Sequence, residues 1–172
     1  METDKIFMKD TNQDDLEIIA SWVKTNEELI LWAGNKFSFP IKLDELIEDF
    51  MADSNLAFTF LYNNTIIGFA GFGCINEQTK SAFLGRFIVN RYYRRNGFGK
   101  NILDYLINFC KTQLNIETIY LNVFSENKEA VKLYENRGFI YIQDSDYVIE
   151  NDNLKFNGKR MFLPLKSSEN NN

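Results

Sequence analysis

The chain has 172 residues, 45% of them hydrophobic and 25% charged, proportions that exclude a mostly disordered chain, a collagen-like repeat and a disulfide-dense scaffold. Nineteen Lys and Arg against 24 Asp and Glu leave a net charge of −5, which disfavours nucleic acid as a partner and favours cationic, amine-bearing molecules. Histidine is absent, which removes His-based triads, His general bases and His-containing metal sites.

In chain order, the first residues carry charges of both signs and no apolar core, so no secretory signal is expected. Residues 5–11 read as a short strand. Asp14 and Asp15 then precede Leu16, Ile18, Ile19, Trp22 and Val23, spaced as an amphipathic helix with acids in its first turn. Residues 25–40 are aromatic and irregular (Trp32, Phe37, Phe39), and 43–51 predict a second helix. Residues 56–62 and 66–75 predict a hairpin around Asn63-Asn64. The longest apolar run, 65–75, is broken by Gly68, Gly71 and Gly73 and falls short of the ~20 residues that span a bilayer, so no membrane partner is expected. Residues 82–89 predict a strand, 91–99 a basic turn punctuated by glycine, and 101–114 a helix with one apolar face. A strand at 118–124, a helix at 128–136 ended by Gly138, and strands at 139–149 and 160–165 complete the pattern. The fold class is therefore α/β, a mixed twisted sheet of about six to seven strands with flanking helices, in one domain over 1–166. The segment 82–124 should be a right-handed parallel crossover. The polar tail 167–172 reads as disordered. Cys74 and Cys110 sit among apolar neighbours with no CxxC, which predicts reduced core thiols and a cytoplasmic location.

Two segments carry chemistry. In 87–103 a strand ends at Val89, three arginines follow, and Gly97-Phe98-Gly99 opens a helix. Glycines leave backbone N–H groups free to converge, the helix N-terminus adds about half a positive charge, and Arg94, Arg95 and Lys100 add full ones. This suits a pyrophosphate. It is neither a dinucleotide-binding turn, because Asn90 to Asn96 intervene and a third glycine is missing, nor a P-loop, because Gly99-Lys100-Asn101 lacks the spacing and the hydroxyl. In 122–139, Asn127, Val131 and Tyr134 fall on one helical stripe, which puts a carboxamide and a phenol about 10.5 Å apart along the axis on one side. Asp144, Asp146, Glu150 and Asp152 lack EF-hand spacing and read as a solvated acidic loop.

Taken together, the two segments resemble the GNAT superfamily of acyl-CoA-dependent N-acetyltransferases. The family's Gln/Arg-x-x-Gly-x-Gly/Ala motif corresponds to Arg94-Arg95-Asn96-Gly97-Phe98-Gly99, preceded by Val89. Its Asn…Ala…Leu-Tyr-Glu…Gly-Phe signature is met by Asn127, Ala130, Leu133-Tyr134-Glu135 and Gly138-Phe139. The resemblance implies the GNAT fold with a splayed parallel strand pair at 82–89 and 118–124. It also implies acetyl-CoA as co-substrate and no metal. The backbone of Phe87, Ile88 and Val89 would pair with pantetheine amides. Arg94, Arg95, Asn96, Gly97, Phe98, Gly99 and Lys100 would hold the pyrophosphate, and Asn127 would contact the pantetheine. Tyr134 would be the catalytic acid that protonates the leaving thiolate.

The resemblance departs at the base, since Asn122 stands where some relatives carry Glu. The alternatives are a distant carboxylate acting through water (Glu77, Glu126, Asp144 or Asp146), an uncharged tyrosine or backbone relay, or bulk solvent. The acceptor is expected to be an amine on a small molecule or peptide, met by aromatic residues of 22–50 and by the acids Glu27, Glu28, Asp44 and Glu45. A monomer or homodimer is expected. The rival reading is a non-catalytic acyl-CoA-binding module, for which Asn122 in place of Glu speaks.

Overall fold

β1 (Ile6–Asp10) runs into Thr11, whose buried hydroxyl shares a hydrogen bond of 2.9 Å with that of Thr59. Asn12 then caps α1 (Gln13–Ala20) in a capping box with Asp15, and the buried Asp15 carboxylate takes Lys9 as its ion-pair partner at 2.7 Å. The chain is described here from a computed structural model covering residues 5–51, 55–151 and 153–165. The polar tail 167–172 lies outside the described residues. Residues 26–33, expected to be irregular, form a helix, α2 (Asn26–Ala33). Thr25 accepts the Glu28 N–H at its start, and Gly34 at φ 65° ends it. The Thr-x-x-Glu start and glycine stop are ordinary helix punctuation, masked in the sequence by aromatic residues. α3 (Leu43–Phe50) follows.

β2 (Leu56–Tyr62) and β3 (Thr65–Asn76) form the expected hairpin, with Asn63 and Asn64 both at positive φ, as a two-residue turn matching strand twist requires. β4 (Ser81–Val89), a 3₁₀ turn at 91–93, α4 (Phe98–Thr112) and β5 (Thr118–Phe124) form the parallel crossover. α5 (Lys128–Glu135) leads to β6 (Ile140–Tyr141), β7 (Tyr147–Asn151) and β8 (Leu154–Pro164).

Among the described residues the sheet thus has eight strands rather than six or seven, ordered β1-β2-β3-β4-β5-β8-β6, with β7 also pairing β8. The extra strand arises because 139–149 does not run as one. Asp144 turns at φ 56°, so β6 and β7 pair with different stretches of a β8 longer than the sequence pattern shows. Alternating side chains divide the core. Phe58, Phe60 and Leu121 pack with Ile102, Leu103 and Leu106 of α4 on one face, and Ala57, Phe69 and Ile88 pack with Leu16, Leu29, Leu46 and Phe50 of α1 to α3 on the other. α5 joins the α4 face through Tyr134. Among the described residues no helix is long and apolar enough to cross a membrane.

Candidate active site

The site begins with a defect in the sheet. β4 and β5 pair in parallel only from Ser81–Thr118 to Leu84–Leu121, and beyond Leu84 the strands part. The cause lies in β4. Its register against β3 slips between Phe69–Ile88 and Gly71–Gly85, which places an extra residue on β4. Arg86 there adopts φ 51°, a left-handed conformation costly for a side-chain-bearing residue. Three contacts hold it: the Trp32 indole N–H donates to the Arg86 carbonyl at 2.7 Å, and the Arg86 guanidinium lies 4.7 Å from the Phe50 ring centroid and 5.7 Å from that of Phe37. A Gly-Arg pair inside an apolar strand is the sequence mark of such a bulge.

Two cavities open at the splay and share Leu31, Trp32, Phe87, Asn127 and Ala130 in their walls. The first, of about 570 Å³, is lined by Phe87, Ile88, Val89, Arg94, Arg95, Gly97, Gly99, Lys100 and Asn127. These nine of the residues singled out in the sequence therefore meet in one concave space. Asn96 and Phe98 do not line it: Asn96 donates to the Arg94 carbonyl at 3.2 Å, and the Phe98 ring packs edge-on against Tyr62 and Tyr93. Gly97 sits at φ 81° as the N-cap of α4, which turns the chain so that the helix N-terminus faces the cavity. The Arg94 Nε–H donates to the Val89 carbonyl at 2.8 Å and stiffens the turn, while Arg95 reaches Glu129 of α5 at 2.8 Å. Lys132 adds a cation to this wall, Glu28 and Glu129 anions. Asn127 is the N-cap of α5 rather than part of its first turn. Its side-chain oxygen accepts the Ala130 N–H at 3.2 Å, which leaves the amide nitrogen for the cavity.

The second cavity, of about 500 Å³, is lined by Trp32, Lys36, Asp49, Phe50, Arg86, Asn122, Tyr134 and Tyr147 among others. Tyr134 enters it from the α4 and α5 face, between Phe87 and Phe139, whose ring centroids lie 6.4 and 5.6 Å away. No group among the described residues takes its hydroxyl in a hydrogen bond, and burial pushes its pKa well above the ordinary tyrosine value. Asp49 receives Lys36 and Arg86, each at 2.8 Å. Burial lowers the Arg86 pKa, opposed by the Asp49 charge. Asn122 accepts from the Arg160 Nε–H at 3.2 Å, and Arg160 stacks on Phe83 with its centre 5.7 Å from the ring centroid. The Tyr147 ring lies flat over Gly158, where any Cβ would strike it.

Sequence reasoning missed Lys36, Asp49, Arg86, Tyr147 and Arg160, which come together only through the fold. Four acids singled out in the sequence lie elsewhere. Glu27, Glu28, Asp44 and Glu45 do not line the second cavity. Glu28 lies in the wall of the first cavity beside Arg91, and Glu45 pairs with the exposed Lys42 at 2.9 Å. The four candidate bases are outside both cavities, and Glu126 is engaged by Asn157 at 2.7 Å. Cys110 is a core thiol, its pKa pushed up by burial to about 12. Cys74 is not. Its left-handed φ of 50°, where β3 and β4 lose register, turns it to the surface beside the second cavity. Among the described residues no three His, Cys, Asp or Glu side chains gather as a metal-holding group.

Comparison with known proteins finds relatives in sequence and in fold. A spermidine N-acetyltransferase from Vibrio cholerae, solved in complex with CoA and spermine, superposes with a TM-score of 0.78 over 93% of this chain and 95% of that one, at 23% identity, a likeness of fold. A probable spermine N(1)-acetyltransferase of Bacillus subtilis subsp. natto is 29% identical over 107 residues, 59% of this chain and 64% of that protein. The chain thus aligns with less than two thirds of that relative's length. The acetyltransferase PseH of Campylobacter jejuni is 27% identical over 140 residues, 79% of this chain and 84% of that protein. The model of the acetyltransferase (GNAT) family matches residues 19–139, a span that takes in the bulged strand, the basic turn and the Tyr134 helix. The chain belongs to the GNAT acetyltransferase family.

Proposed function

We propose that the protein transfers an acetyl group from acetyl-CoA to the primary amine of a small molecule or peptide, by direct attack and without a covalent enzyme intermediate. The observation that carries this reading is the meeting of the two cavities at Phe87, Asn127 and Ala130, with the Tyr134 ring beside the junction. The first cavity has the chemistry of a CoA site. Arg94, Arg95, Lys100 and the α4 N-terminus face a pyrophosphate, Asn127 faces the pantetheine, and the β4 edge from Phe87 to Val89, released from β5, is free to pair with its amides.

At the junction the amine nitrogen attacks the thioester carbonyl carbon, whose oxygen a β4 backbone N–H polarises. As the C–S bond breaks, the thiolate takes the Tyr134 proton, and the proton of the new amide nitrogen leaves to water. Burial keeps Tyr134 a phenol until the thiolate forms. Of the described carboxylates only Asp49 lines the second cavity, and two cations hold it, which makes it a poor base and supports proton loss through water. The curated relatives' names, spermine and spermidine acetyltransferases of Bacillus subtilis, support an amine acceptor. Tyr134 in the cavity wall supports the enzyme over a non-catalytic binding module. Thiol release from acetyl-CoA over a panel of amines tests the reading. Turnover with at least one amine is expected, and tight acetyl-CoA binding with no turnover on any amine would establish the binding module instead.

A further inference from the structure

The second cavity carries the wrong charge for a plain polyamine. Its wall among the described residues holds Lys36 and Arg86 against the single carboxylate of Asp49. A third cation, Arg160, is bound to Asn122 and stacked on Phe83, both wall residues, and has no ion-pair partner among the described residues. The remaining polar wall groups are neutral: Asn35, Asn55, Asn122, Asn127 and the two tyrosines. Asp49 already faces two cations at 2.8 Å, so it has little negative field left to offer an ammonium. The molecule's overall charge of −5 is thus reversed at this place. A polycation entering here meets the two cations of the wall, offset by one carboxylate, and a third cation, Arg160, beside it.

We propose that the acceptor is an amine that also carries an oxyanion, a carboxylate or phosphate, held by Lys36 and Arg160 beside the splay. The inference rests on the acetyltransferase reading above. The same cations serve the chemistry. A nearby positive charge disfavours the protonated form of an amine, so the wall lowers the acceptor's pKa and delivers the free nucleophile where no carboxylate base stands ready. The oxyanion supplies the attraction that the ammonium loses. Lys36 and Arg160 are both exposed, so an incoming group can reach them, and the Lys36 ammonium has donors beyond the one it turns to Asp49, whereas Arg86 is half-buried against Asp49 and the aromatic stack.

Matched acceptors test this at saturating acetyl-CoA. Glucosamine 6-phosphate is compared with glucosamine, and an α-amino acid with its amide, with spermidine as the polycation. The charged member of at least one pair is expected to have a kcat/KM about tenfold higher than its neutral partner, the worth of one charge-assisted contact, and spermidine to rank below it. The pair that responds separates phosphate from carboxylate. Lys36→Gln and Arg160→Gln, checked for folding by circular dichroism, should each shrink that preference while leaving the KM for acetyl-CoA unchanged. Preference for spermidine or for the neutral members, with turnover intact, overturns this proposal and leaves the transferase reading standing. Absence of turnover with every amine overturns both.

Discussion

The two cavities are built in opposite ways. The first is assembled mainly from two short stretches, 87–100 and 127–136, and works through backbone: a glycine at φ 81°, a helix N-terminus and the free edge of a strand. The second draws its wall from α2, the end of α3, β3, β4, β5, α5 and β7, and works through side chains. A site made of backbone and local turns holds a constant ligand by geometry. A site made of scattered side chains sets specificity, because its shape and charge follow the identity of each wall residue. On the proposed reading the first cavity holds the co-substrate and the second the acceptor.

Tyr134 lies where the two meet, and its removal should have the largest effect. Tyr134→Phe keeps the ring between Phe87 and Phe139 and deletes only the hydroxyl. The rate should fall about 10²–10⁴-fold with acetyl-CoA affinity retained, a loss confined to kcat in steady-state kinetics. Full activity in the Phe variant would remove the acid from the mechanism. The backbone character of the first cavity predicts a ranking within it. Gly97→Val places a β-branched residue at φ 81° and should weaken acetyl-CoA binding by more than Arg94→Ala, for which a loss of about 1–2 kcal/mol is expected. Calorimetry on the folded variants that showed the reverse order would mean charge, not backbone, makes the site.

The side-chain character of the second cavity predicts a split of the other kind. Gly158→Ala must push the Tyr147 ring from its seat, and should raise the acceptor KM about three- to tenfold while sparing that for acetyl-CoA. Equal changes in both constants would place Tyr147 outside the acceptor wall. The smallest effect concerns the thiols. Cys74 should react with a maleimide in the native protein, and Cys110 only after unfolding, as mass spectrometry would record. Cys110 is also a pH sensor of stability. Below an unfolded-state pKa of about 8.5 it is protonated in both states and changes nothing. Above it the unfolded chain loses the proton first, so stability falls as pH rises toward about 12, a slope that Cys110→Ala should flatten.

The sequence by itself determined much of this protein. Period-two and helical spacing located most strands and helices, because burial of one face imposes its period directly on the chain. The basic glycine turn and the Asn127 to Tyr134 segment were legible because each is a run of neighbours, and the cavity they line needs little beyond local geometry. Tertiary structure decided the rest. The bulge at Arg86 is held by Trp32, 54 residues away, and by Phe37 and Phe50. The charge of the second cavity depends on which of many exposed ions fold inward, and acids that sequence reasoning assigned to the acceptor, Glu28 and Glu45, ended in other pairings. Cys74 followed a register shift rather than its apolar neighbours. Contacts between residues distant in the chain leave no periodic trace, so the basic glycine turn could be read in advance while the wall of the second cavity had to be seen folded.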